Sequence, residues 1–119
     1  MNGTAAFIVS SNPVPGRADE LRDWYHDVHL EDARLIPGVL SATLYESQPV
    51  KGKPPSVHAF KAVYEVDGDP AAVWAEFDRR IAEGVMTMTD ALDPASLSFA
   101  VWAPCRVERV RGSGDDIRD

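Results

Sequence analysis

The segment Trp24-Tyr25-His26-Asp27-Val28-His29-Leu30 places two large aromatics and two imidazoles within two helical turns. Projected at about 100° per residue, Leu21, Trp24, Tyr25, Val28 and Leu35 share one apolar stripe. His29 falls at the edge of that stripe near Tyr25, and His26 points away from it. A histidine at the rim of an aromatic face can exchange a proton near neutral pH. A tyrosine one turn away can donate a proton or hold a substrate oxygen. His29 and Tyr25 are therefore the candidate catalytic pair. The bland alternatives are a histidine that ties the helix to its surroundings and a tyrosine that only packs.

Four further residues are candidates for binding a substrate. Trp24 lies on the same stripe, where aromatics at helical spacing more often form core. Asp32 projects near the middle of the stripe, where a carboxylate needs a partner. It can orient His29 or cap a turn at the helix end. Tyr64 and Trp102 sit on expected strands and can line a cavity or lie in a dimer core, because sequence does not fix which strand parity faces the helices. His58 reads as a solvated strand edge and His26 as a surface residue. The three histidines lack metal-ligand spacing, so no metal site is expected. No phosphate loop, nucleophile elbow or zincin motif occurs. The single cysteine, Cys105, allows no intrachain disulfide and reads as a buried structural thiol.

These residues must be carried by secondary structure that the pattern outlines. Ala5-Ala6-Phe7-Ile8-Val9 is a continuous apolar run, which suits a strand. Turn formers from Ser10 to Gly16 lead into a helix from about Arg17 or Ala18 to Ile36, with Asp19 and Glu20 complementing the dipole of its first turn. Pro37-Gly38 ends it. A second strand spans roughly Val39 to Ser47. The proline-rich loop 48–55 follows, then a third strand at about Val57 to Val66. Asp69 is an N-cap and Pro70 the first residue of a second helix, which carries Val73, Trp74, Phe77 and Ile81 at helical spacing and ends near Glu83-Gly84. A loop or short helical turn over 85–94 leads to a last strand, roughly Ser96 to Val110. Residues 1–111 read as one domain, and 112–119 as a frayed polar tail.

The order is β-α-β-β-α-β. It predicts an α+β ferredoxin-like domain, an antiparallel four-stranded sheet with two helices on one face. Strands with one wet face should alternate apolar and polar residues. The first does not, and the third and fourth alternate poorly. Both faces of the sheet should then be covered, and the helices cover only one. A homodimer with sheets packed face to face meets that need.

Composition narrows the function classes. The chain has 119 residues, enough for one modest core, with 12 Lys and Arg against 19 Asp and Glu. The net charge of −7 leaves no basic stripe for a phosphate backbone and disfavours an anionic membrane surface. The start Met1-Asn2-Gly3-Thr4 reads as neither signal peptide nor membrane span, so a cytoplasmic protein is expected.

Five stretches together resemble a known family. They are Ser11-Asn12-Pro13, Trp24-Tyr25-x-x-Val28-His29-Leu30, Pro37-Gly38-Val39, Gly68-Asp69-Pro70-Ala71-Ala72 and Met88-Thr89-Asp90-Ala91-Leu92. They resemble the EthD-like branch of the dimeric α/β-barrel superfamily over about residues 4 to 104. The resemblance implies a ferredoxin-like protomer, a homodimer and a cavity between helices and sheet, with His29 matching the family's helix histidine. The superfamily includes small cofactor-free cyclases, isomerases, decarboxylases and quinone-forming monooxygenases, and also haem-binding members. The chain departs from the family in one place: Glu31 stands where a proline often follows His-Leu, which implies a helix running straight past His29.

The expected function is that of a cofactor-independent enzyme acting on an aromatic or polyketide-like carbonyl compound, by cyclase, isomerase or lyase chemistry. Abstracting a proton α to a carbonyl needs a base and a donor at the developing enolate oxygen. His29 and Tyr25 can fill those roles in either order. The alternatives are a small-molecule-binding or accessory protein without chemistry, and an oxygenase, haem-linked or cofactor-free. The pocket is expected to measure a few hundred Å³.

Overall fold

The computed structural model describes residues 4–105. Its elements run β1 (Ala5–Ser11), α1 (Ala18–Trp24), a π turn (Tyr25–His29), α2 (Leu30–Ala33), β2 (Val39–Glu46), β3 (Phe60–Val66), α3 (Pro70–Ala82), a 3₁₀ turn (Pro94–Ser96) and β4 (Ser98–Trp102). The strands form one antiparallel sheet in the order β2-β3-β1-β4. That is the ferredoxin-like arrangement, and both helical segments pack on one face of the sheet. The expected tail, and the expected last strand beyond residue 105, lie outside the described residues.

Register settles the parity that sequence left open. Phe7 packs edge-on against Trp74 and Phe77 of α3, at 4.7 and 5.8 Å between ring centroids. Ser11 reaches Tyr25. The odd residues of β1 therefore face the helices. Phe7 pairs with Tyr64 and Val101, and Val9 with Ala62 and Phe99, which puts those residues on the same face. The other face carries Ala6, Ile8 and Ser10 of β1, Val63 of β3, and Ala100 and Trp102 of β4. The described residues leave that apolar centre uncovered, and Trp102 is 64% exposed.

The ends of the helices follow local rules. The Asp69 carboxylate accepts a hydrogen bond from Ala71 N at 3.0 Å, and Pro70 occupies the first turn of α3. Pro37-Gly38 turns the chain from α2 into β2. Gly38 has φ +95°, and a Cβ there would meet Val73 Cγ2 at 2.9 Å and the Asp67 carbonyl oxygen at 3.2 Å. Glycine is required twice over, for the backbone and for the close approach of α3. Cys105 is exposed rather than buried, because β4 ends at Trp102 and the chain has left the sheet.

Candidate functional site

The first helix does not run straight past His29. Leu30 N donates to the Tyr25 carbonyl, five residues back, and Tyr25–His29 forms one π turn between α1 and α2. A π turn takes one more residue than an α turn and shifts the phase of everything after it. The expected stripe of Leu21, Trp24, Tyr25, Val28 and Leu35 becomes a buried stripe of Leu21, Trp24, Tyr25, His29, Leu30, Ala33 and Ile36. Leu35 turns out to solvent at 71% exposure. His29 moves from the edge of the stripe to its buried centre, and Asp32 leaves the middle of the stripe. In a regular α-helix residues 24 and 29 would lie about 140° apart. Here their rings stack, with centroids 4.5 Å apart and planes 18° apart.

The ring of His29 stands at the wall of a cavity of about 150 Å³ between the helices and the sheet. Trp24, Tyr25, Tyr64, Trp74, Phe77 and Phe99 supply its aromatic surface. Tyr25, Tyr64 and Phe77 lie 5.8, 6.3 and 6.1 Å from His29 between ring centroids. The segment between α3 and the 3₁₀ turn closes one side and brings Met88 and Leu92 to the lining. Trp24 Nε1 donates to the Thr87 carbonyl at 3.0 Å. Arg17 holds the Asp90 carboxylate at 2.7 Å and its carbonyl at 3.1 Å. The same tryptophan thus anchors that segment and supports the imidazole. The cavity is smaller than the few hundred Å³ expected. It is the size of a site that accepts a single aromatic ring.

Electrostatics at the site follow from burial. His29 is 7% exposed, and Nδ1 is buried without a hydrogen-bond partner among the described residues. Desolvation pushes its pKa down to about 4, so the imidazole is neutral at pH 7. Tyr25 is 1% exposed, and its hydroxyl shares a 2.8 Å hydrogen bond with Ser11 Oγ. Burial raises its pKa, and the Ser11 hydrogen bond opposes that only in part. Tyr64 is raised further, by burial first and by Tyr25 second. Both phenols stay protonated at neutral pH and can only donate or accept hydrogen bonds as neutral groups.

The structure brings together four of the six residues singled out from sequence: His29, Tyr25, Trp24 and Tyr64. Trp102 lies on the opposite face of the sheet, because it pairs with Ala6 in the even-parity register. Asp32 lies outside the cavity lining, displaced by the π turn. His26 is exposed, as projected. His58 precedes β3 and bonds the Ser96 carbonyl through Nε2 at 2.9 Å, tying the long hairpin to the 3₁₀ turn. Sequence reasoning missed Ser11 as the partner of Tyr25, and Asp78 and Met88 as lining residues. The α3 spacing marked Trp74, Phe77 and Ile81 only as a packing face. Ser11, Met88 and Leu92 fall in stretches that carry the resemblance, but no local signal gave them, Asp78 or Phe99 a place in the site, which they reach through tertiary contacts.

No protein-family model and no curated protein matches the chain. Two solved structures are similar. One is a candidate monooxygenase from Shewanella loihica PV-4, with a TM-score of 0.57 and 20% identity over 90% of this chain and 99% of that one. The other is the haem-degrader MhuD from Mycobacterium tuberculosis, solved with two haems in its active site, with a TM-score of 0.58 and 20% identity over 88% of this chain and 99% of that one. At this identity the likeness shows the ferredoxin-like fold.

The present site does not fit haem. Its volume of about 150 Å³ lies well below the roughly 300–1,000 Å³ usual for larger ligands. Among the described residues the one charged side chain in its lining, Asp78, is an anion, which would repel the propionates.

Proposed function

We propose that this chain is a cofactor-independent acid/base enzyme that moves a proton on a small, single-ring aromatic carbonyl compound, with cyclase, isomerase or lyase chemistry. One observation carries the reading: among the described residues His29 Nδ1 is buried without a partner at the wall of an apolar cavity. An unsatisfied buried polar atom destabilises a fold by about 1–3 kcal/mol. A histidine kept for structure would have a partner there. Perturbed titratable groups in clefts mark functional sites.

The cavity suits this chemistry. A neutral imidazole can accept a proton from a carbon next to a carbonyl. The imidazolium so formed and the enolate arise together as an ion pair, and low polarity strengthens their attraction. The empty-site pKa of about 4 therefore understates the basicity of His29 beside a developing enolate. Tyr25, backed by Ser11, and Tyr64 are neutral donors for the enolate oxygen. Returning the proton to a different carbon completes an isomerisation. A multi-ring polyketide exceeds the cavity, so the proposed substrate class narrows to one ring.

A second reading is a cofactor-free oxygenase, favoured by the likeness to the candidate monooxygenase from Shewanella loihica. The first step is shared: the same carbanion, meeting O₂ instead of a proton, supplies the electrons that O₂ takes up. We place the chain in the EthD-like branch on its helix motif and Pro37-Gly38, and in the cytoplasm on its composition. No helix among the described residues is long and apolar enough to cross a membrane. We assign a homodimer to the uncovered sheet face, where Ile8, Val63, Ala100 and Trp102 form an apolar centre that a second copy would bury.

The test is hydrogen–deuterium exchange at the methyl group of acetophenone in D₂O, followed by NMR with an oxygen electrode in parallel. The protein should accelerate exchange, and His29→Gln should reduce the acceleration by roughly 10²- to 10⁴-fold. Oxygen uptake that requires His29 would select the oxygenase. Single-ring ketones that bind without exchange or oxygen uptake would leave a binding protein.

A further inference from the structure

We propose that Asp78 selects the charge of the ligand, favouring a single-ring compound with a cationic or hydrogen-bond-donating outer end and rejecting one with a carboxylate there. The inference rests on the cavity being a ligand site and deepens that reading.

Among the described residues Asp78 is the one charged side chain in the cavity lining, and it is exposed. It follows Phe77 on α3 and shares the lining with Trp74 and Ile81 of the same helix, which places this exposed residue beside the mouth of a cavity whose own wall is almost wholly apolar. It forms no ion pair among the described residues. The neighbouring cations of α3 are already engaged. Arg79 is held by Glu76 and by Glu83 at 2.8 Å, and Arg80 by Glu76 at 2.7 Å. Arg17, which pins the segment that closes the cavity, is shared between Glu20 and Asp90. The site thus shows an incoming molecule one unneutralised negative charge on a chain of net charge −7.

The wall beside Asp78 strengthens this selection. The Trp74 and Phe99 rings lie 4.7 Å apart between centroids, and both line the cavity. Phe99 and Met88 are 49% and 45% exposed, which leaves them open to a ligand. An ammonium group at the cavity mouth lies near this carboxylate and near the faces of aromatic rings, and both attract it. A carboxylate meets an anion and the negative faces of the same rings. At about 6 Å, with a dielectric between that of a protein surface and that of water, the single charge is worth roughly a 3- to 30-fold difference in affinity.

Benzylamine, benzyl alcohol and benzoate test this, being similar in size and differing in charge. Binding is read at pH 7.5 from the fluorescence of the cavity tryptophans and from ligand NMR line widths. Benzylamine should bind most tightly and benzoate least. Asp78→Asn should weaken benzylamine and strengthen benzoate by roughly 3- to 30-fold each, leave benzyl alcohol within about twofold, and remove most of the salt dependence. Asp78→Glu should keep the order. If benzyl alcohol binds and benzoate binds equally well, or Asp78→Asn changes nothing, Asp78 has no such role and the cavity reading survives. If none of the three binds, the cavity is not a ligand site and both readings fall.

Discussion

The buried imidazole of His29 makes a quantitative claim about stability and pH. Its pKa is pushed down to about 4 in the folded protein by desolvation, whereas an unfolded chain leaves it near 6.5. Below pH 6.5 the unfolded state binds this proton and the folded state does not, so stability falls as pH falls. Each pH unit between the two values is worth about 1.4 kcal/mol. The loss attributable to His29 is therefore about 2 kcal/mol at pH 5 and about 3 kcal/mol once the pH is below 4, with no effect above about pH 7. Carboxylates titrate in the same range, so the wild-type curve alone does not isolate the histidine. The reference is His29→Phe, which keeps a ring against Trp24 and removes both nitrogens. At pH 7.5 this variant should be more stable by about 1–2 kcal/mol, because the orphaned Nδ1 is gone. Between pH 7.5 and 5 the advantage should widen by about 2 kcal/mol more. Urea unfolding at fixed protein concentration, at several pH values, measures both numbers, and NMR titration of the His29 ring gives the midpoint directly. Parallel stability curves for the two proteins, or a His29 midpoint near 6.5, would refute the reasoning. They would mean that Nδ1 has a partner or that water reaches it.

Three further outcomes follow from particular contacts. Gly38→Ala should destabilise the fold by roughly 2–4 kcal/mol, since it combines a positive φ with a contact against Val73 and the Asp67 carbonyl; a thermal melt unchanged within error would contradict this. Deleting Asp27, an exposed residue of the π turn, should restore a regular α-helix with a continuous apolar stripe. His29 then follows Trp24 by four residues, about 40° round the helix, so such a protein should fold with stability within about 1 kcal/mol of the parent, keep His29 beside Trp24 and keep ligand binding; lost binding would show that the width of the π turn itself sets the site. Light scattering at micromolar concentration should give twice the 13.0 kDa protomer mass, and Trp102→Lys or Ile8→Lys on the uncovered sheet face should shift the chain towards monomer. A monomeric wild type would remove the argument from covered faces.

The fold was legible because its determinants are local. Apolar runs, turn formers, the Asp69-Pro70 cap and the Pro37-Gly38 stop each act within a few residues, and together they leave β-α-β-β-α-β as the element order. The residue types at the site were legible too, because Trp24, Tyr25 and His29 are close in sequence. Their arrangement was not. A helical projection assumes 3.6 residues per turn, and one π turn moves every later side chain by about 100°. That shift put His29 at the centre, sent Leu35 to solvent and removed Asp32 from the stripe. The strand parity that admits Tyr64 and excludes Trp102 came only from pairing register, since residues 64 and 102 meet their neighbours across β1 and not along the chain. The closing segment behind Trp24, the Ser11 partner of Tyr25 and the Asp78 charge likewise depend on long-range contacts. Sequence determined which chemical groups this protein has and the order of the elements that carry them. Tertiary structure decided which of those groups share a cavity and what their burial does to their protons, because desolvation depends on everything packed around a group and not on its neighbours in the chain.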